Sequence, residues 1–330
     1  VKIAAVIGLI AGLFLTVMFV LANGAGQIWR SATLLGWSGF LAVLLFHLCL
    51  IAGMGSGWWL LGRGREDISL KRCVWGRLIR DSAAEALPLS QIGGFVVGAR
   101  AITLAGVSSA FAAASTVVDV TVELVAQLGY TLLGLLLLSL VRPDNAFAGP
   151  GLAGLSAMAI LASIFIAVQA RGAGFVEQAG QRLARQFLGG RIGASGAVQA
   201  QIRALHRRRA ALAGATCVHL ACWLLSGVET WGTLRLMQVR LSLADGLIID
   251  SLLYGMRSIA FMVPNAFGVQ EGGLVILGAM FGVGADTALA LSLIKRARDL
   301  TIGVPALLTW QALEGRRVWG RALRKEGVLF

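Results

Sequence analysis

Charge is what this 330-residue chain has least of. Only 14% of it is Asp, Glu, Lys or Arg, against 57% hydrophobic, and its mean hydropathy is +0.80. Soluble domains carry far more charge than this, so a soluble globular fold is excluded from the start. Cysteines are few as well. Cys49, Cys73, Cys217 and Cys222 have neither a disulfide framework nor zinc-ligand spacing. Cys217, His219 and Cys222 lie close together, but positions 217 and 219 of a helix face different sides, which argues against a shared metal ion. There is no HExxH run, and Gly55-Ser56-Gly57 does not fit a serine nucleophile elbow. His47 and His219 have no nucleophile signature beside them and read as packed helix residues. No catalytic residue, metal or cofactor is expected.

Long apolar runs are there in number. Residues 3–22, 37–61, 108–141, 151–170, 210–234 and 287–313 each approach or exceed the twenty residues that a membrane-crossing helix requires. The expected fold is therefore all-α, a single polytopic membrane domain over residues 1–330 with six full crossings. The formal net charge of +13 would suggest nucleic acid in a soluble protein. Here the basic residues sit in short loops, with no RNP-like motif, and their distribution reads as topology. Loops 62–80, 171–209 and 314–330 hold nineteen Lys and Arg, whereas loops 23–36, 142–150 and 235–246 hold four. The first set, and both termini, are expected on the cytoplasmic side. Segment 171–209 reads as a cytoplasmic basic loop with an interfacial amphipathic helix.

Six crossings satisfy that charge pattern only if two broken segments return to the side from which they enter. One is 247–284, whose core Asp250–Gly273 holds Asp250, Arg257 and Glu271 and is interrupted by Pro264, Asn265 and several glycines. Proline stops a helix just before it, and irregular backbone at membrane depth must be enclosed by protein or line a wet cavity. The other is 81–107, with Pro88, Gly93 and Gly94. Side by side they form a repeat. Arg80, Pro88, Gln91-Ile92-Gly93-Gly94 and Asp119 match Arg257, Pro264, Gln270-Glu271-Gly272-Gly273 and Asp299 at offsets of 177, 176, 179 and 180. Each hairpin precedes a helix, 108–141 in the first repeat and 287–313 in the second. Three crossings separate the hairpins, so the repeats are inverted, an architecture whose binding sites lie at the repeat interface near mid-membrane.

Charges at membrane depth are functional candidates. Asp119 and Glu123 share a helix face, as do Lys295 and Asp299. Asp119, Glu123, Arg298 and Asp299 read equally as ion pairs between packed helices. Arg257 and Arg100 are candidate contacts for a phosphate or carboxylate head group. Glu271 is a candidate gate that could take a proton, which offers coupling to proton entry. Asp119, Glu123 and Asp299 complete the expected polar centre, and Gly93, Gly94, Gly268, Gly272 and Gly273 allow close approach at the hairpin tips. Arg80, Asp81 and Glu85 are expected nearer the membrane surface.

The run Pro264-Asn265-Ala266-Phe267-Gly268-Val269-Gln270-Glu271-Gly272, together with Leu87-Pro88 to Gly93-Gly94 and the following Arg100, resembles the lysylphosphatidylglycerol synthase transmembrane-region family of flippase-like membrane proteins. Within it the chain looks most similar to the hopanoid-biosynthesis-associated branch. The resemblance implies a bacterial inner-membrane protein that moves a phospholipid or hopanoid-type lipid, or its head group, between leaflets. Bifunctional members carry a soluble aminoacyl-transfer domain. Seventeen residues follow the last expected span here, so synthase activity is not expected. Two other readings stay open, an enzyme acting on lipid or polyprenyl-phosphate substrates within the membrane, and a non-catalytic scaffold for lipid-modifying enzymes.

Overall fold

The computed structural model describes residues 24–86, 90–143, 148–171, 196–260, 263 and 266–325, with four isolated positions before residue 24. Eleven helices and no strand occur among the described residues. They are α1 (Ala25–Thr33), α2 (Gly36–Gly62), α3 (Leu70–Ala86), α4 (Ser90–Leu104), α5 (Ser109–Val141), α6 (Ala148–Arg171), α7 (Ala197–Arg207), α8 (Arg209–Leu236), α9 (Leu243–Ile259), α10 (Val269–Ala279) and α11 (Ala285–Lys325). Helices α2, α5 and α8 are long and apolar enough to cross a membrane. Their bounds fall within two residues of the expected spans at 37–61, 108–141 and 210–234. Most of the expected span 3–22 and of loop 171–209 lies outside the described residues, as do Pro88, Pro264 and Asn265.

The main departure from expectation is α3. The charge pattern placed 62–80 in a loop, yet the helix begins at Leu70. Its buried positions are 73, 76, 77, 79, 80, 82, 83 and 84, and those at 73, 76, 77, 80, 83 and 84 follow the spacing of one helix face. Arg77 and Arg80 stand in that stripe and are only 6% and 4% exposed. Arg80, like Arg77, is therefore buried within the helix bundle. The physical reason is packing. A Cβ on Gly55 of α2 would lie 2.6 Å from Val74 Cα, one on Gly94 of α4 would lie 2.6 Å from the Arg80 carbonyl oxygen, and one on Gly98 2.7 Å from Arg80 Cβ. Glycines on two neighbours thus let α3 sit deep between them.

The second broken segment is made of α9 and α10. Helix α9 opens with a capping box, in which Ser242 Oγ accepts from the Asp245 amide and Asp245 accepts from the Ser242 amide. It ends at Ile259, just ahead of Pro264. Gly268, at φ +79°, turns the chain into α10. Helix α11 runs through Pro305 for 41 residues, well beyond the expected end at 313.

The core falls into separate clusters, each drawing residues from both halves of the chain. Trp58, Ile102, Phe111 and Val118 belong to one buried cluster, and Leu253, Leu274, Leu277 and Leu291 to another. Packing crosses between the halves. Helix α5 lies against α9, and α11 lies against α3. Each long helix thus leans on the first arm of the other half's hairpin.

Candidate functional site

Where α2, α3, α5, α8, α9 and α11 meet, they line a half-open cavity of about 350 Å³. Four arginines line it, Arg77 and Arg80 from α3, Arg257 from α9 and Arg298 from α11. Four carboxylates line it too, Asp81, Glu85, Glu123 and Asp299, with His47 beside them. The site is rich in charge but balanced in sign.

Most of these charges are paired. Arg77 donates to Asp81 at 2.7 Å and forks onto Glu123 through Nη1 and Nη2 at 2.9 and 2.7 Å. Arg80 donates to Asp119 at 2.7 Å and to Glu123 at 2.5 Å. Such forks suit guanidinium geometry, and in a water-poor interior each buried charge needs its partner. Behind Arg80, Asp119 also meets His219 Nε2 at 3.0 Å, and both are fully buried. On the opposite wall Arg298 bonds Asp299 at 2.7 Å and also Glu229. Glu229 in turn meets His47 Nδ1 at 3.0 Å.

Arg257 joins the halves. Its Nη2 donates to Glu85 of α3 at 3.1 Å and its Nη1 to Gln270 of α10 at 2.7 Å. The guanidinium lies 5.3 Å from the centroid of the Tyr254 ring, and Trp223 packs edge-on against that ring at 4.7 Å. From Gln270 a chain of bonds runs through Ser292 to Glu271, each at 2.8 Å.

Of the expected site residues, Arg257, Glu123 and Asp299 line the cavity, and Asp119 supports it through Arg80. Glu271 does not line it. One of its carboxylate oxygens accepts from the Gly268 amide at 2.8 Å and closes the N-terminus of α10, and the other is bonded by Arg296 at 2.8 Å. Arg100 is also elsewhere. It faces the long extension of α11 and pairs with Glu314 at 2.6 Å, so it does not join Arg257. Gly94 and Gly273, matched in the repeat, each press on the first arm of their own hairpin. A Cβ on Gly273 would come 2.9 Å from Leu253 Cδ1. Gly93 lies in the first turn of α4 and Gly272 in that of α10. Pro264 lies outside the described residues.

Three contributors escaped the sequence reading. Arg77 was hidden by its basic neighbours, although its place in the α3 stripe was readable. Glu229 stands alone in an apolar span, a position that marks a polar partner across the bundle. Trp223, which lines the cavity, carried no distinguishing signal. A separate buried group, Asp250 with Lys295, Thr230 and Tyr130, accompanies the cavity without lining it.

An α-helical, multi-pass bundle with a charged interior cavity defines an integral membrane protein of the polar-centre type. The chain belongs to the lysylphosphatidylglycerol synthase TM region family, which it matches over residues 2–306. That places it among membrane proteins related to lipid handling. No curated protein and no solved structure matches it.

Proposed function

We propose that this protein binds an amphiphilic lipid by its head group in the central cavity and moves it between the leaflets of the bacterial inner membrane. The observation that carries this reading is the Arg257–Glu85 bond, which joins the two hairpin units at a charged cavity of about 350 Å³. A volume of that order suits a polar head group while the acyl chains stay in the bilayer.

The topology proposed with it is six crossings, cytoplasmic termini and two re-entrant hairpins in an inverted repeat. Arm lengths support it. Helices α3, α4, α9 and α10 have 17, 15, 17 and 11 residues, hence about 26, 22, 26 and 17 Å at ~1.5 Å per residue. All fall short of a hydrocarbon core about 30 Å thick. The reciprocal leaning of α5 on α9 and α11 on α3 is what two interlocked repeats would produce. With α3 beginning at Leu70, Lys71, Arg72, Arg77 and Arg80 leave loop 62–80, and the remaining fifteen basic residues against four support the proposed orientation. A link to hopanoid metabolism rests on the branch resemblance and sets the choice of probes.

The test is leaflet exchange of labelled phospholipid and hopanoid-type probes in vesicles holding the purified protein. Wild type accelerates exchange, and Arg257→Ala slows it roughly tenfold, the loss expected for one or two charge-assisted hydrogen bonds. Each measurement is repeated with a proton gradient, because a coupled carrier stands still without one. Equal exchange with and without protein, under both conditions, sinks the reading. A new covalent product in the lipid extract would replace it with an enzyme.

A further inference from the structure

Two polar atoms on the cavity's lining residues have no partner. They are Glu85 Oε2, an acceptor, and Trp223 Nε1, a donor, and both are buried. A buried polar atom without a hydrogen bond is costly, so such atoms are matched by what enters the site. A ligand that satisfies both must bring a donor to Glu85 and an acceptor to Trp223.

Charge narrows the class further. The four arginines of the lining face four carboxylates. An anionic head group that drew Arg257 to itself would strip Glu85 of the arginine bonded to it, and stranding one member of a largely buried pair is unfavourable. A head group carrying both signs has no such cost. Its anion takes Arg257 while its cation takes Glu85, and the Arg257–Glu85 bond of 3.1 Å is exchanged for two others. The Tyr254 ring touches both Trp223 and Arg257, so the indole and the guanidinium belong to the same stretch of the lining.

We infer that the head group this cavity takes is a zwitterion with a primary ammonium, of the phosphoethanolamine type, its ammonium donating to Glu85 and its phosphate bound by Arg257 and Trp223. This rests on the lipid-binding reading above and names its substrate class. A quaternary ammonium has no N–H to give to Glu85 Oε2 and is bound more weakly. A head group with phosphate and hydroxyls alone lacks the cation that Glu85 needs.

Binding decides the matter without recourse to transport. The full chain, purified in a non-ionic detergent, is titrated with short-chain phosphatidylethanolamine, phosphatidylcholine and phosphatidylglycerol, and the rise in melting temperature gives each affinity. Phosphatidylethanolamine binds roughly tenfold more tightly than phosphatidylcholine, the effect of one charge-assisted hydrogen bond. Glu85→Gln removes that preference while its own melting temperature without lipid shows that it is folded. Trp223→Phe weakens phosphatidylethanolamine and phosphatidylcholine alike, since it acts on the phosphate they share. Equal affinities for the two, a preference for phosphatidylglycerol, or no shift with any of the three overturns the inference. Tight phosphatidylethanolamine binding without any leaflet exchange leaves it standing and sinks the translocation reading alone.

Discussion

At the scale of single residues, the same amino acid does different work at different depths. Arg80 is 4% exposed and holds two carboxylates, whereas Arg100 pairs with Glu314 at the edge of the bundle. Arg80→Ala leaves Asp119 to His219 and Glu123 to Arg77, and unfolding in detergent is expected to show a loss of about 3 kcal/mol. Arg100→Ala is expected to cost under about 1 kcal/mol in the same measurement, because partly exposed pairs contribute little. In the loop between α2 and α3, the Arg65 side chain holds the Asp67 carboxyl below its ordinary value of 3.8, and the Ser108 amide adds to the effect. A lowered carboxyl stabilises the folded loop above its ordinary value and ceases to do so as pH falls through the folded one. Hydrogen exchange at the Ser108 amide should therefore quicken in acid below pH 3.8, and Asp67→Asn should abolish that pH step. Arg77 and Arg80 share a helical stripe with Cys73, Gly76 and Ala84, but that this stripe is a buried helix face was not read from the sequence. Loop charge density pointed the other way, because it averages over both faces of α3.

At the scale of elements, the hairpins are held by glycine contacts that leave no space for a methyl group. Gly94→Ala would drive a Cβ to 2.6 Å from a backbone oxygen, which cannot yield. We expect a loss of about 1–3 kcal/mol in detergent unfolding, together with slower lipid exchange as α3 and its two arginines shift. Gly273→Ala meets the far end of Leu253 instead, a flexible neighbour, and should cost less. Gly129→Ala on α5 meets nothing within 4 Å and serves as the neutral comparison. Helix α9 runs from Leu243 to Ile259 and so begins ahead of the expected 247; only the breaks in the two segments were readable, from Pro88 and Pro264 beside their paired glycines. The start of α3 was not, because Lys71 and Arg72 look like loop residues until the burial of Cys73 and Gly76 is known. Pairings such as Glu85 with Arg257, 172 residues apart, depend on packing that no local pattern carries.

At the scale of the whole molecule, the all-helical class and the spans α2, α5 and α8 were legible because membrane-crossing helices announce themselves by length and apolarity alone. The polar centre was legible only in part. Asp119 and Glu123 at helical spacing marked one wall and Arg298 with Asp299 part of the other, while Glu229, on a helix distant in sequence, joined it only once folded. The charge network also bears on how the chain is made. Synthesis proceeds from the N-terminus, so Arg77 and Arg80 leave the ribosome before Asp119 and Glu123 exist. Glu229 and Asp250 emerge before Lys295 and Arg298. Each early helix thus enters the membrane with a charge whose partner is still unborn, and the last of these debts is settled only by α11. Biogenesis should then be late and all-or-nothing. Nascent chains stopped before residue 295 would remain sensitive to protease in the membrane, and those that include α11 would turn resistant in a single step.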